Sequence, residues 1–371
     1  MPSTRASAVT IASVAVIAAV AVGLAGPKRP DATATAASVS QINTPLPTAI
    51  PPGTVLTIGD PTTQRILEHT GWIRQLPFTV RWAEMSGGPQ VNEAFHAKAL
   101  DVGSAADVPP IHATWTGIPV RIIAVRLRTD PLNHPSYEFG VGPKSGIRTL
   151  ADLRGKRIAY SPGQVQGEVV LRTLQAEGLT PADVKLVELP STGGDLYVNA
   201  LVGGLVDVAP IGAGTQSARY LAKYGSDGAK VLPHPAFRDD LTLLYARAEV
   251  LADPAKAAAL RAYIALWARA NEWQRAHSDE WAKIYYQDNQ GLSAADARAV
   301  VAAAGEPDIP SRWDEAIGLE QTTADVVAKA TGHPPLVAAS LFDRRFEPIA
   351  ASAAHDEWAR EAPTATQLAA R

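Results

Sequence analysis

The stretch that decides the fold reads WAEMSGGPQVNEAFHAKALDVGSAADVPPIHATWTG and spans residues 82–117. It begins near the end of the apolar run FTVRWA, residues 78–83, and that run predicts a β-strand. The turn SGGPQ follows, and residues 91–100 then repeat apolar side chains at helical spacing, which predicts an α-helix. A strand, a glycine-bearing turn and a helix in this order are typical of one unit of an open α/β sheet.

Similar units occur on both sides of this stretch. Further strands are predicted at 55–59, 119–127, 137–141, 156–161, 184–190 and 206–212, and further helices at 62–70, 150–155, 168–178 and 196–203. From about residue 252 onward the pattern is mostly helical. Strands that alternate with helices indicate an α/β fold, here with two lobes that are each an open, mostly parallel sheet flanked by helices. Ligands bind beyond the carboxyl ends of the strands in such sheets, so a cleft between the lobes is expected.

The order of these units predicts how the chain divides into lobes. Residues 53–138 and 241–371 are expected to form lobe 1, and residues 139–240 to form lobe 2. The preceding residues, 27–52, contain six prolines and few large apolar side chains. That composition is typical of a disordered linker.

The first 26 residues predict export. Arg5 precedes an uncharged apolar run, which is the pattern of a signal sequence. The run is longer than a signal core of roughly 7–15 residues and approaches the roughly 20 residues that span a bilayer, so a cleaved signal peptide and a retained membrane anchor both stay open. The protein is therefore expected in the periplasm or at the cell surface.

Composition excludes several classes of function. The chain has 34 basic and 37 acidic residues, a balance that gives no basic surface for nucleic acid. It has no cysteine, which excludes disulfides, thiolate metal sites, cysteine nucleophiles and a cysteine-linked lipid anchor. The eight histidines show no metal-binding spacing, and the GxSxG motif of serine hydrolases is missing. We therefore expect no cofactor, no metal and no enzymatic activity.

Residues 82–117 resemble the matching stretch of periplasmic binding proteins for aliphatic sulfonates and taurine, and of their nitrate- and thiamine-precursor-binding relatives. In that family a strand ends in a GGPQ-like turn, here Gly87–Gln90, and a D-x-G-x5-P-P run follows, here Asp101 to Pro110. The likeness continues through residues 142–179 and covers roughly 55–300.

The resemblance implies a two-lobed, type II periplasmic-binding-protein-like fold. It also implies the extracytoplasmic solute-binding component of an ABC importer, which closes its lobes on a small anionic or zwitterionic ligand and docks on a membrane permease. A ligand sensor with the same fold and a cysteine-independent enzyme stay open as alternatives. One departure bears on the ligand: sulfonate binders carry an aromatic W-D-P-like segment where this chain has Gly212 to Thr215. A sulfonate is therefore not fixed as the ligand, and a bulkier one would fit.

Candidate ligand-binding residues lie where a helix begins after a strand, because unpaired backbone N–H groups and the helix dipole favour anions there. For the SGGPQ turn the alternative is an ordinary strand-to-helix turn, and for residues 161–167 it is a solvent-facing loop. The candidates are Thr62, Thr63, Gln64, Ser86, Gly87, Gly88, Gln90, Ser104, Ala105, Ser161, Gly163, Gln164, Gln166, Gly212, Gly214 and Thr215.

Several other residues have simpler interpretations. Asp107 is expected to cap a helix. Asp239 and Asp240 are expected to be a solvated pair or a cap, with amine binding as the alternative. Trp82 and Trp115 are expected to pack in the core, with ligand stacking as the alternative.

Overall fold

Two β-sheets organise the computed structural model, which describes residues 44–85, 87–190 and 195–361, with side chains up to residue 355. The strands are β1 (Val55–Gly59), β2 (Thr79–Trp82), β3 (Val102–Ala106), β4 (Val120–Arg128), β5 (Tyr137–Val141), β6 (Arg157–Tyr160), β7 (Lys185–Glu188), β8 (Val208–Gly212), β9 (Lys230–Leu232), β10 (Thr242–Arg247) and β11 (Pro307–Asp308). The first sheet has the order β11-β4-β10-β3-β1-β2 and the second the order β7-β6-β8-β5-β9.

Helices flank both sheets and continue after the last long strand. They are α1 (Pro61–Thr70), α2 (Gly88–His96), α3 (Val108–Trp115), α4 (Val165–Ala176), α5 (Leu196–Val202), α6 (Thr215–Tyr224), α7 (Ala248–Ala252), α8 (Pro254–Ala276), α9 (Ser278–Trp281), α10 (Ala294–Ala304), α11 (Asp314–Thr331) and α12 (Glu347–Glu361). A π-helical segment, Ala282–Gln287, follows α9. Short 3-10 turns include Trp72–Gln75 and Leu150–Leu153.

The first sheet, which forms lobe 1, contains three strands that the sequence pattern left unassigned, β3, β10 and β11. β1 pairs in parallel with β2 and β3, while β10 enters antiparallel between β3 and β4. β10 is almost fully buried because it has sheet neighbours on both edges. β3 consists of small residues, and at Gly103 a side-chain Cβ would lie 2.2 Å from Val91 of α2. The small residues of β3 therefore allow α2 to pack directly on the sheet.

The second sheet forms lobe 2, and the chain passes between the lobes twice. β6 pairs in parallel with β7 and β8, and β5 pairs antiparallel with β8 and β9. The first crossing, residues 129–136, joins β4 to β5, and the second, residues 233–241, joins β9 to β10. The expected α/β class with two sheets flanked by helices is confirmed. The expectation that each sheet is mostly parallel was wrong, because three of the five strand pairings in the first sheet and two of the four in the second are antiparallel. The exact lobe limits stay a prediction.

Helix α8 covers one face of the lobe 1 sheet. Asp253 caps it by accepting from the backbone N–H groups of Ala255 at 2.9 Å and Lys256 at 3.2 Å, and Pro254 suits the first turn. Its inner face buries Tyr263 and Trp267 against the sheet. This helix carries further residues toward the carboxyl edge of the sheet, where the candidate site lies.

The N-terminal prediction falls mostly outside the described residues. Residues 1–43 are not among them, so the signal peptide, the anchor and most of the linker stay predictions. Where the linker is described, it follows the folded surface: Leu46 packs against the lobe 1 core, and Arg345 donates to the Thr44 carbonyl at 3.2 Å. Among the described residues, no helix is long and apolar enough to cross a membrane.

Candidate functional site

The first turn of α1 holds the first three predicted ligand residues. The backbone N–H of Thr63 donates to the Asp60 carboxylate at 3.3 Å, and the Thr63 side chain is buried. The Gln64 amide donates to Glu68 of the same helix at 2.8 Å, so it is directed along the helix. Thr62 lines a small polar cavity, and its role as a ligand residue stays a prediction.

The SGGPQ turn has clear packing requirements. Ser86 lies outside the described residues. Gly87 caps α2 with a φ of 151°, a backbone conformation that residues with a side chain rarely adopt. At Gly88 a Cβ would lie 2.0 Å from Cγ of Pro109, so the glycine permits close contact between α2 and α3. Gln90 is exposed on α2. These glycines therefore have a structural function whether or not the turn binds a ligand.

The sequence pattern had suggested that Ser104 and Ala105 lie in a loop after a strand. In the structure they lie inside β3. Antiparallel pairing with Leu244 and Leu243 of β10 extends β3 to Ala106. Asp107 comes directly after the strand and accepts from the backbone N–H of Val108 at 2.9 Å. The prediction that Asp107 caps a helix is confirmed.

The glycine-bearing loop of lobe 2 contacts lobe 1. The Ser161 hydroxyl donates to Oε1 of Gln164, and both side chains are buried. Gly163 has a φ of 76°, and a Cβ there would lie 3.2 Å from the His112 ring of α3. Gly163 also lines a cavity of about 510 Å³ between this loop and helices α2 and α3. Gln166 is half-buried in the first turn of α4.

The GAGT segment lies at the beginning of α6. The Gly212 N–H donates to Oε1 of Gln216 at 2.7 Å, and Gly214 has a φ of 80°. At Gly214 a Cβ would lie 2.8 Å from Cβ of Ala303, so this segment packs against α10. The buried hydroxyl of Thr215 has no hydrogen-bond partner among the described residues.

Two arginines that the sequence did not predict as site residues line a polar cavity in lobe 1. Arg126 and Arg128 lie at the carboxyl end of β4 and line a cavity of about 180 Å³ together with Thr62. The Arg126 guanidinium donates to Asn271 at 3.3 Å and to Thr242 at 3.4 Å, both long contacts. No carboxylate among the described residues forms an ion pair with it. We call this cavity, with Arg126 and Arg128, the arginine cavity.

Burial and charge make the arginine cavity attractive to an anion. Burial lowers the pKa of Arg126, and the positive charge of Arg128 lowers it further, while Asp60 opposes both effects. A guanidinium nevertheless stays charged at neutral pH, and it has five N–H donors. Burial also raises the pKa of the Tyr286 hydroxyl at the cavity wall to about 12, so this group stays neutral and can donate a hydrogen bond.

A larger cavity of about 680 Å³ adjoins the arginine cavity. Its walls come from the first crossing, the end of α8, the π-helical segment and α10. Trp281 lies between the two cavities, and its ring stacks on Tyr285 at 4.4 Å between centroids. Trp281 is buried while also lining both cavities. We call this space the wide cavity.

Two buried aspartates stabilise the crossing segments through hydrogen bonds and an ion pair. Asp239 accepts from the backbone N–H groups of Ser136 at 2.9 Å and Tyr137 at 3.0 Å. Asp240 pairs with the Arg238 guanidinium at 2.7 Å and accepts from the backbone N–H of Arg128 at 2.7 Å. Both side chains are fully buried, so the expectation of a solvated pair was wrong. The acidic pair is used to hold one crossing segment against the other.

Three buried carboxyl groups lie near one another where lobe 2 packs on lobe 1. Arg172 donates to Glu168 of α4 at 3.2 Å, and Thr323 donates to Asp107 at 2.7 Å. Neither oxygen of Glu320 on α11 has a hydrogen-bond partner among the described residues. Burial raises the pKa of Glu320 well above its ordinary value of 4.5, and the carboxyls of Asp107 and Glu168 raise it further.

The two tryptophans near the SGGPQ turn pack against protein. Trp82 meets Tyr263 edge to face at 6.4 Å, and Trp115 stacks on His333 at 4.5 Å. The Trp115 indole also donates to the Pro334 carbonyl at 3.1 Å. No group of three or more histidine, cysteine, aspartate or glutamate side chains in the described part of the chain could hold a metal ion.

The predicted residues therefore separate into different places. Thr62 shares the arginine cavity, Gly163 lines the cavity between the lobes, and the other predicted residues that the structure describes line none of these three cavities. The arginines were missed because an alternating strand normally turns its charged side chains to solvent. A signal did exist: Arg126 and Arg128 lie two residues apart and so on one face, at the carboxyl end of a strand.

The chain matches a model of a known protein family. The model described as NMT1/THI5 like matches residues 69–277, more than half of the chain. A protein of Escherichia coli (strain K12) that is named for binding aliphatic sulfonates is 32% identical over 106 residues. That match covers 29% of this chain and 32% of the relative, so the chain matches about a third of the length of this curated protein.

Solved structures share the fold at lower identity. The alkanesulfonate-binding protein SsuA from Xanthomonas axonopodis pv. citri, bound to MOPS, gives a TM-score of 0.65 at 22% identity over 79% of this chain and 99% of that one. The periplasmic aliphatic sulphonate binding protein SsuA from Escherichia coli gives 0.62 at 22% identity over 77% and 91%. The desulfurization enzyme DSZB gives 0.54 at 16% identity over 82% and 99%. The fold is thus shared by binding proteins and by an enzyme.

Proposed function

Because this chain belongs to the NMT1/THI5-like family, we propose that it is the extracytoplasmic binding component of an ABC importer, with a small organic anion as its ligand. The family match and the sulfonate-binding names of its relatives support a binding protein. The ligand itself is argued from the arginine cavity, because the sequence match covers only part of the named relative. The apolar N-terminal run supports a location outside the cytoplasm.

The observation that carries this proposal is the state of Arg126. Its side chain is partly buried, has only two long hydrogen bonds and has no ion-pair partner among the described residues. A planar guanidinium offers a fork of donors that fits a carboxylate or a sulfonate. A bound anion would supply acceptors for the open donors and offset the repulsion from Arg128. Thr62, at the beginning of α1, adds the favourable end of a helix dipole.

The same groups favour reversible capture over catalysis. A guanidinium and neutral tyrosine hydroxyls bind anions but are poor nucleophiles, and the chain has no cysteine to act as one. The cavity also adjoins both crossings, since Arg128 and Asp240 line it. Ligand occupancy would therefore affect the segments that join the lobes, as closure of the lobes on the ligand requires.

The test measures anion binding by calorimetry. Methanesulfonate, taurine, nitrate and acetate would be titrated into the protein, and Arg126→Gln should weaken binding of the best anion by about 10- to 100-fold, the range of a charge-assisted contact. Arg126→Lys should have a smaller effect, because it keeps the charge. Arg121→Gln is the matched control, since Arg121 lies on the same strand near its opposite end. Unchanged affinity in Arg126→Gln would remove this site from the proposal.

A second set of variants distinguishes the arginine cavity from the predicted cleft. A ligand bound at the helix beginnings would lose affinity in the double variant Gln90→Ala, Ser104→Ala and not in Arg126→Gln. Lobe closure is tested separately by small-angle scattering with saturating ligand. A radius of gyration that stays constant would contradict the closure step.

A further inference from the structure

We propose that the ligand is an amphipathic organic anion that occupies both cavities. Its anionic group binds at Arg126 and Arg128, and an apolar body of about one or two aromatic rings lies in the wide cavity. This inference rests on the proposed function and makes its ligand class specific. It differs from binding of a small anion, for which the arginine cavity alone would be sufficient.

The two cavities are neighbours that share part of their lining. Six residues line both of them and form the junction: Gln274, Trp281, Tyr286, Ala304, Gly305 and Pro307. The arginine cavity, at about 180 Å³, is smaller than the range of about 300–1,000 Å³ of small-molecule sites, whereas the wide cavity, at about 680 Å³, lies within that range. A ligand larger than the arginine cavity would therefore extend past the junction residues into the wide cavity.

The lining of the wide cavity suits an apolar body. Trp281, Tyr286, Val301, Ala302 and Ala304 contribute aromatic and aliphatic surface. The indole of Trp281 meets Tyr286 edge to face at 6.1 Å between centroids, which gives the junction an aromatic wall. Aromatic rings pack well against such a wall in stacked or edge-to-face geometry.

Charge directs the anionic group to the narrow end. The ionisable residues around the wide cavity have mixed signs: Asp130, His134, Arg275, Asp279, Arg298 and Glu306. Arg275 is moreover paired with Glu272 at 2.9 Å. The arginine cavity has two guanidinium groups, and its one carboxylate, Asp240, is already paired with Arg238. An anion is thus favoured at the narrow end, and the remainder of the ligand occupies the wide end.

The junction also offers a hydrogen-bond acceptor. Oε1 of Gln274 is buried and has no partner among the described residues. An unsatisfied buried polar atom is costly, so a ligand hydroxyl or amide N–H at this point would contribute favourably. This observation adds a polar linking group to the expected ligand, between its anionic end and its apolar body.

The test compares two probes in calorimetry, methanesulfonate and naphthalene-1-sulfonate. Both have the sulfonate, and only the second has the apolar body, so we expect it to bind at least about tenfold tighter because it buries more apolar surface. Ala304→Phe, which fills the junction, should remove most of this advantage. Equal affinity of the two probes for the unmodified protein would overturn the inference.

A second variant guards against misfolding of Ala304→Phe. Ala302 is exposed and lines the wide cavity, so Ala302→Trp obstructs the cavity with little demand on the core. Ala299→Trp on the same helix is the matched control, because Ala299 is exposed and outside the cavity lining. Naphthalene-1-sulfonate should bind Ala302→Trp at least about fivefold more weakly than Ala299→Trp, since the apolar contact is lost. Equal binding by these two variants would also overturn the inference.

These outcomes separate the inference from the proposed function. If methanesulfonate binds, and Arg126→Gln abolishes that binding while the apolar body adds nothing, the anion site stands and the two-cavity ligand is wrong. If neither probe nor the other anions bind, both proposals fail.

Discussion

Gly88 shows at the scale of one residue why the SGGPQ turn is needed for folding. A Cβ at this position would overlap the Pro109 ring, which is rigid and cannot move aside easily. We expect Gly88→Ala to destabilise the protein by about 1–3 kcal/mol, as overpacking does. Chemical denaturation of the two proteins side by side would measure this.

The control for that substitution is a glycine that has space. Gly318 is exposed on α11, and a Cβ there has no neighbour within 4 Å. Gly318→Ala should stabilise the protein by about 0.5–1 kcal/mol, because alanine has a higher helix propensity. If Gly88→Ala were as well tolerated as Gly318→Ala, the close contact between α2 and α3 would be wrong.

Single residues also show which features of the site could be predicted from the sequence and which could not. The glycines of the turn could be found because few residues suit a tight strand-to-helix connection, and Asp107 because a cap follows from its position. Arg126 and Arg128 could not, since their importance depends on the lack of a carboxylate ion-pair partner among the residues that the structure describes. Asp240 pairs with Arg238, two residues before it in the chain, and not with the nearby Arg128 guanidinium. No pattern along the chain determines that choice.

At the scale of elements, the crossing segments depend on Asp239. Its two carboxylate oxygens accept from backbone N–H groups of the first crossing and of β5. Asp239→Asn would replace one oxygen by an amide that cannot accept, so we expect a loss of about 1–3 kcal/mol of stability. Thermal unfolding compared with Asp195→Asn, an exposed position in lobe 2, would measure it. A loss no larger than that of Asp195→Asn would mean that the crossings are held by other contacts.

Elements differed in how well the sequence predicted them. Strands such as β1 and β8 were predicted because they are short apolar runs. The helices predicted next to them in the sequence fit the same α/β pattern. β10 was missed because TLLYAR follows a polar crossing and precedes helices, and only its two sheet neighbours make it a strand. β3 was missed because its small residues have weak strand preference, which packing against α2 overrides.

For the whole molecule, the buried carboxyls between the lobes predict a pH dependence. The pKa of Glu320 is raised in the folded protein, so Glu320 is protonated there at pH values where the unfolded chain has ionised it. Stability from this group is therefore complete below about pH 4.5 and is lost as pH rises toward the raised pKa, by up to about 1.4 kcal/mol per pH unit. Melting curves from about pH 5 to pH 8 would show the decrease.

The variant that tests this assignment is Glu320→Gln, which is uncharged at every pH and nearly isosteric. This variant should reduce the loss of stability with rising pH. It should also be more stable than the unmodified protein near pH 8. Asp325→Asn is the control, because Asp325 is exposed on the same helix. If Glu320→Gln kept the original slope, other groups would be responsible.

The position of Arg128 next to both crossings has a mechanical consequence. When two bodies rotate about a common axis, atoms near the axis move little and distant atoms move far. Arg128 is the last residue of β4, and its backbone N–H donates to Asp240 of the second crossing. The end of the cavity that binds the anion therefore lies near the axis of any such rotation. We expect the charged end of a ligand to keep its contacts while the lobes open. Release would then be governed by contacts far from the pivot, where the same angle produces the largest displacement.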